Sequence, residues 1–174
     1  IELSEEWVLK IRGRADHLWI DRAGIIASVF SRLAAVDMSG LVDVDLADAA
    51  VLADSLRAMV HKFEVASGEL STAEAGSVRR AAADMAALEK AARRAHLDLH
   101  VEVVGRADPT GADARNRVLS RERAESVKEL LIASGVDRRL VSTDGLGTAP
   151  LTGQPAQHNR CVTYSITLRS IIHD

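Results

Sequence analysis

The sequence predicts an α+β fold: a mixed sheet with helices on one face, running β-α-β-α-β-β from residue 60 onward and preceded by a small α/β module over residues 1–59. Three observations predict it. Ser71-Thr72-Ala73-Glu74 has the S-x-x-E spacing of a capping box, in which each side chain satisfies an orphan amide of a first helical turn. Leu97 to Val103 and Cys161 to Leu168 alternate apolar with polar residues, the period of half-buried strands. Helical periods separate the strands, so crossover helices should return the chain for parallel pairing, with the last strand joining antiparallel.

The elements follow in order. Ile1 to Gly13 has the pattern of a hairpin, with a Ser4-Glu5-Glu6 turn before Trp7-Val8-Leu9-Lys10-Ile11. Trp19, Ile20, Ala23, Ile26, Ala27, Phe30, Leu33 and Ala34 form one apolar stripe at i, i+3, i+4, i+7 spacing, a helix over 16–34 in which Trp19, with Trp7, should pack an N-terminal core. Val36 to Asp45, interrupted by Gly40, predicts a broken strand. A second helix should carry Leu52, Leu56, Met59, Val60 and Phe63 on one face, with Asp45 or Asp48 as N-cap. Lys62 to Val65 fits a short strand.

The capping box then starts a helix whose apolar face runs through Val78, Ala81, Ala82, Met85, Leu88 and Ala92, and Arg93-Arg94 suits its negative end. Leu97 to Gly105 is the next strand, and Arg106 to Gly111 a loop. A helix from Ala112 to Ser134 is closed by Gly135 at C′. Arg139 to Thr143 is a short strand, Asp144-Gly145-Leu146-Gly147 a turn, and Cys161 to Leu168 the last strand.

Composition limits what these elements can do. The 174 residues are 47% hydrophobic and 27% charged with mean hydropathy +0.01, the profile of a globular domain with a real core. Net charge is −3, which is no footprint for nucleic acid, and 3% aromatics make a stacking platform improbable. Charge divides unevenly: residues 1–60 hold 6 basic and 10 acidic side chains, residues 61–174 hold 16 and 15. One cysteine, Cys161, excludes an internal disulfide and a CxxC zinc pattern. The chain opens on Ile1 rather than methionine, so it is expected to be a piece of a longer protein, with any targeting signal or membrane anchor upstream.

Candidate chemistry concentrates on the helix after Ala112. If its inward face is centred on Val127, then Ala124, Leu130 and Leu131 lie within about 60° of the centre, but so do Arg123 at about 40° and Asn116 at about 20°. Arg121, Glu122, Glu125 and Lys128 point outward. An arginine on the inward arc needs a carboxylate or a ligand, because an unpaired buried charge is strongly destabilising. Asp108 leaves the C-terminal end of the preceding strand, where such sheets usually receive ligands. Two readings stay open: Asp108 and Arg123 hold a zwitterion between them, or they serve structure alone, bridging each other or with Asp108 capping the helix and Arg123 snorkelling. His96 and His100 straddle a helix end and stand too far apart for a metal site. Gly145-x-Gly147 lacks the third glycine and helix of a nucleotide fingerprint, and no nucleophile sits on an elbow, so neither cofactor nor enzymatic turnover is expected.

Gly105-Arg106-Ala107-Asp108-Pro109-Thr110-Gly111, Asn116, Leu119-Ser120, Arg123-Ala124, Val127, Gly135-Val136, Gly145-Leu146-Gly147, Pro150 and Asn159-Arg160-Cys161-Val162 together resemble the OmpA/MotB C-terminal family over 60–168. That resemblance implies an OmpA-like, Pal-like domain that binds peptidoglycan non-covalently through the diaminopimelate of its stem peptide. It implies that Asp108 meets the ammonium, Arg123 takes the carboxylate, Asn116 supports them, and Arg160 is the first arginine of the closing motif. Departures are clear: Ala107 replaces a threonine, Cys161 replaces the second arginine, and the segment from Pro150 to Asn159 is short. The first 59 residues resemble the second half of a BON-type envelope module, which implies a spacer or a docking site for envelope protein partners. The expectation is a non-enzymatic tether to the cell wall on the periplasmic side of the envelope. The alternative is a structural or protein-interaction domain whose groove has lost wall binding.

Overall fold

The computed structural model describes residues 8–30, 35–149 and 159–171. Its elements are β1 (Val8–Ala15), α1 (His17–Phe30), β2 (Ala35–Asp43), α2 (Val44–Arg57), β3 (Val60–Lys62), α3 (Thr72–Arg94), β4 (Leu97–Arg106), α4 (Asp113–Ala133), β5 (Val141–Gly145) and β6 (Cys161–Ser170). Four strands form one sheet in the order β3-β6-β4-β5. β4 and β5 are parallel with α4 as their crossover, and β6 is antiparallel to both β3 and β4. The β-α-β-α-β-β order from residue 60 is therefore the one the sequence predicts.

Local chemistry starts the helices where expected. Ser71 caps α3, its hydroxyl accepting from Glu74 N, and Asp43 rather than Asp45 or Asp48 caps α2 through Leu46 N. Asp45 instead lies buried inside α2 and receives Arg94 Nε at 2.5 Å, which lowers its pKa against the opposing effect of burial. The core is built from the inward faces of β4 (Val101, Val103) and β6 (Val162, Tyr164, Ile166), closed by α3 (Val78, Met85, Leu88) and α4 (Ala124, Val127, Leu131).

α2 adds Ala49, Ala53 and Leu56 to that same core, all fully buried. It packs on α3 and β6, so this helix shares its apolar interior with the elements that follow it. The predicted continuation of its apolar face through Met59, Val60 and Phe63 is corrected: α2 ends at Arg57 and Val60 begins β3, because the edge of β6 offers ladder partners from Thr163 to Cys161. The strand expected at 139–143 begins at Val141, after a 3₁₀ turn over Arg138–Leu140 capped by Asp137.

The N-terminal elements also differ from expectation. β1 and β2 pair in parallel across α1, with a register irregularity between Lys10 and Arg12. The first strand of the predicted hairpin, its turn and Trp7 lie outside the described residues, as do 31–34 of the predicted helix. Within α1, Ile20, Ala23, Gly24 and Ala27 face inward, while Trp19 and Ile26 are 46% and 58% exposed, so Trp19 does not pack a core. Large apolar residues occur around most of this helix, so periodicity cannot choose a face. The small residues fix the face that approaches the sheet.

Candidate functional site

One end of the four-stranded sheet collects the four candidate site residues, Asp108, Asn116, Arg123 and Arg160. Register places Arg106 opposite Cys161, so Asp108 leaves β4 beside Arg160, the residue that enters β6. α4 lies directly on the ends of β4 and β5 because two glycines give it room. A Cβ on Gly105 would stand 1.9 Å from the Ser120 carbonyl oxygen, and one on Gly145 would stand 2.7 Å from Arg121 N. The loops after β4 and β5 are stitched together. Ala107 N donates to Gly147 O at 2.7 Å, and Gly147 N donates to the buried Ser120 hydroxyl at 2.9 Å.

Asp108 is organised by its own loop. Oδ1 accepts from Thr110 N at 3.2 Å and from the Thr110 hydroxyl, while Oδ2 accepts from Arg160 Nη1 at 3.1 Å. The Thr110 hydroxyl, with further help from Arg160, holds the carboxyl below its ordinary range although partial burial opposes this. The buried Asn116 donates Nδ2 to Thr110 O at 3.2 Å, so Thr110 joins Asp108 to Asn116. Neither helical nor strand periodicity marks Thr110. The available signal is the Asp-Pro-Thr-Gly string, in which an aspartate side chain commonly accepts the backbone amide two residues on.

Arg123 is fully buried, as its position on the helix predicts, but its partners are not those expected. Nε donates to Ser67 O at 2.8 Å, Nη2 to Glu64 O at 3.0 Å and Nη1 to Arg106 O at 3.0 Å. Its guanidinium carbon lies 5.4 Å from the centre of the Phe63 ring. Burial lowers its pKa, and the field of Asp108 partly restores it. The direct bridge between Asp108 and Arg123 does not form, because Arg160 occupies the carboxylate.

Arg160 has a different environment. Its side chain is 31% exposed, and it lines a groove of about 650 Å³ with Lys62, Phe63, Glu64, Glu69, Ser71 and Glu74. Its carbonyl accepts from Phe63 N at 2.9 Å, which anchors the backbone. Its Nε is shielded and has no hydrogen-bond partner among the described residues. Next to it the Cys161 thiol is buried, and burial raises its pKa, so the position that departs from the family motif is a packed core atom. A larger hollow of about 920 Å³ lies along the other flank of α4 beside Arg117, Arg121 and Asp144, and contains none of the four site residues.

A model of the OmpA family matches residues 62–161, the span that holds α3, β4, α4, β5 and all four residues. The chain belongs to the OmpA family. The chain is 47% identical over 49 residues to the probable lipoprotein YiaD of Escherichia coli (strain K12), an alignment covering 28% of this chain and 22% of that protein. It is 42% identical over 52 residues to outer membrane protein A of Serratia odorifera, covering 30% and 21%. The matched stretches thus span about a fifth of these curated relatives. Among solved structures, the peptidoglycan-associated lipoprotein of Burkholderia pseudomallei superposes with a TM-score of 0.52 at 19% identity, covering 62% of this chain and 89% of that one. The C-terminal domain of Helicobacter pylori MotB gives 0.52 at 22% identity, covering 63% and 84%. At these identities the likeness is one of fold.

Proposed function

We propose that this OmpA-family domain binds peptidoglycan non-covalently through the diaminopimelate-containing stem peptide, as the wall-binding part of a periplasmic cell-envelope protein. The observation that carries the reading is the Asp108–Arg160 pair. An ionised carboxylate and a part-exposed guanidinium stand side by side at the C-terminal end of β4, the guanidinium opening onto a groove of peptide size. Family membership and the structural likeness to a protein named as peptidoglycan-associated support the same ligand.

Asp108 receives the ammonium group of the zwitterion. Thr110 and Asn116 hold its loop, and Arg123 and Arg160 make up the cationic side of the site. The domain acts by binding rather than by turnover. The N-terminal α/β piece serves as a spacer or as a docking module for an envelope protein. Sedimentation with purified sacculi tests the site: wild type co-sediments, and Asp108→Ala stays in the supernatant. Equal retention of the two would show that the wall is held elsewhere.

A further inference from the structure

The apolar surplus of this chain lies toward its N-terminus. Of the fifteen large hydrophobic residues that stand exposed among the described residues, ten fall between Val8 and Val51, and five of those are on α1. This helix is apolar on both sides. Its inward stripe is mostly small, with Ala23, Gly24 and Ala27 beside Ile20, whereas Leu18, Trp19, Ile25, Ile26 and Val29 point away from the sheet and are between 46% and 68% exposed. At 100° per residue these five cover a continuous arc of about 120°, interrupted only by Arg22. A helix that is apolar all round is normally a buried one.

We infer that the outward face of α1 is a homodimer interface, in which two copies of this chain pack α1 against α1 in antiparallel order. The spacing suits a helix as occupant. Leu18, Arg22, Ile25 and Val29 follow one another at intervals of 4, 3 and 4 residues, the d-a-d-a seam of a coiled coil, and the inward residues fall at the b, c and f positions away from it. The flanks of the seam fit a second copy and set its direction. Trp19 and Ile26 stand on one side, Asp21 and Ser28 on the other. An antiparallel two-fold sets each flank against its own kind, apolar on apolar and polar on polar, while a parallel pair would set Trp19 and Ile26 against Asp21 and Ser28. Leu18 then meets Val29 of the second copy, and Arg22 meets Ile25, with its head free to turn toward Asp21 of the second copy on the polar flank. One polar residue in such a seam fixes the register. Covering the five side chains removes roughly 500 Å² per copy, about 1,000 Å² in all, which reaches the lower size of a specific interface. A lipid surface is a poorer match: α1 has one permanent cation, and residues 1–60 hold 6 basic against 10 acidic side chains, whereas helices that lie on anionic membranes carry a strongly basic polar face.

Sedimentation equilibrium of the full 174-residue chain tests this. Wild type should pass from monomer to dimer between about 1 and about 100 µM, the range for an interface of this size. Ile25→Asp should weaken association by roughly tenfold or more while melting with wild type, since Ile25 is exposed in the single chain. Oxidative crosslinking reads the direction: a mixture of Leu18→Cys and Val29→Cys chains should link 18 to 29, and Leu18→Cys chains alone should not link, with Cys161 silent because it is buried. A wild type that stays monomeric across the range overturns the inference, and its sedimentation with phosphatidylglycerol vesicles would then assign the face to lipid. A dimer that Ile25→Asp leaves intact overturns it as well, because the contact then lies elsewhere. Linking of Leu18→Cys chains to one another overturns the antiparallel order. None of these outcomes bears on wall binding through Asp108, which the sacculus experiment reads separately.

Discussion

Arg123 shows how a single buried charge is stabilised without a direct ion pair. Three carbonyl dipoles and the face of Phe63 replace its hydration, and the guanidinium in turn ties the turn after β3 to the end of β4. Replacement by methionine, similar in bulk, removes three donors at once from these carbonyls, of which Glu64 O still accepts from Ser67 N. Arg123→Met should lower unfolding free energy by about 3 kcal/mol or more, read from urea denaturation. The position was legible in the sequence because helical phase alone puts residues 116 and 123 on the inward arc. The partners were not legible: Glu64 and Ser67 contribute through backbone atoms, whose availability depends on how a distant turn closes.

At the scale of elements, α2 is the informative one. Its charge pattern groups it with the acidic N-terminal part, yet Ala49, Ala53 and Leu56 complete the core formed with α3 and β6. Hydrophobic burial takes no account of net charge along the chain, and a helix settles where its apolar face is covered. Leu56→Ala should destabilise the domain containing β3 to β6 by about 2–5 kcal/mol, whereas Leu46→Ala, on the exposed side of the same helix, should change stability by less than about 0.5 kcal/mol. Chemical denaturation of both variants checks this. Equal small effects would mean that α2 is dispensable to that core. The capping box at Ser71 was readable because its chemistry is local, but the end of α2 was not, since strand pairing with β6 competes for residues 60–62.

For the whole molecule, the buried pair of His61 and Tyr164 couples stability to pH. His61 Nε2 lies 2.8 Å from the Tyr164 hydroxyl, and Nδ1 faces Glu74 Oε2 at 3.5 Å. Burial lowers the His61 pKa below its ordinary 6.5, although Glu74 opposes this and Arg80 reinforces it. The unfolded chain therefore binds a proton that the folded chain resists, so the stability contributed by neutral His61 is lost as pH falls below 6.5 toward the folded value. Thermal unfolding should show a falling midpoint from about pH 7 to about pH 5, with a shallower slope in His61→Gln. An unchanged slope would remove His61 from the acid response.

The sequence by itself determined the strand and helix order from residue 60, the inward placement of Asn116 and Arg123, and, through its spaced motifs, membership of the OmpA family. These follow from periodicities and caps that act within one element, and from a pattern of short motifs. Only the tertiary structure decided which arginine holds Asp108, that Arg123 is bound by carbonyls, and that α2 belongs to the same core. The first depends on the register of β4 against β6, the second on backbone carbonyls brought to Arg123 across 17 to 59 residues, and the third on apolar burial against α3 and β6. Backbone atoms are the same at every residue, so their pairing leaves no mark on the sequence that forms it.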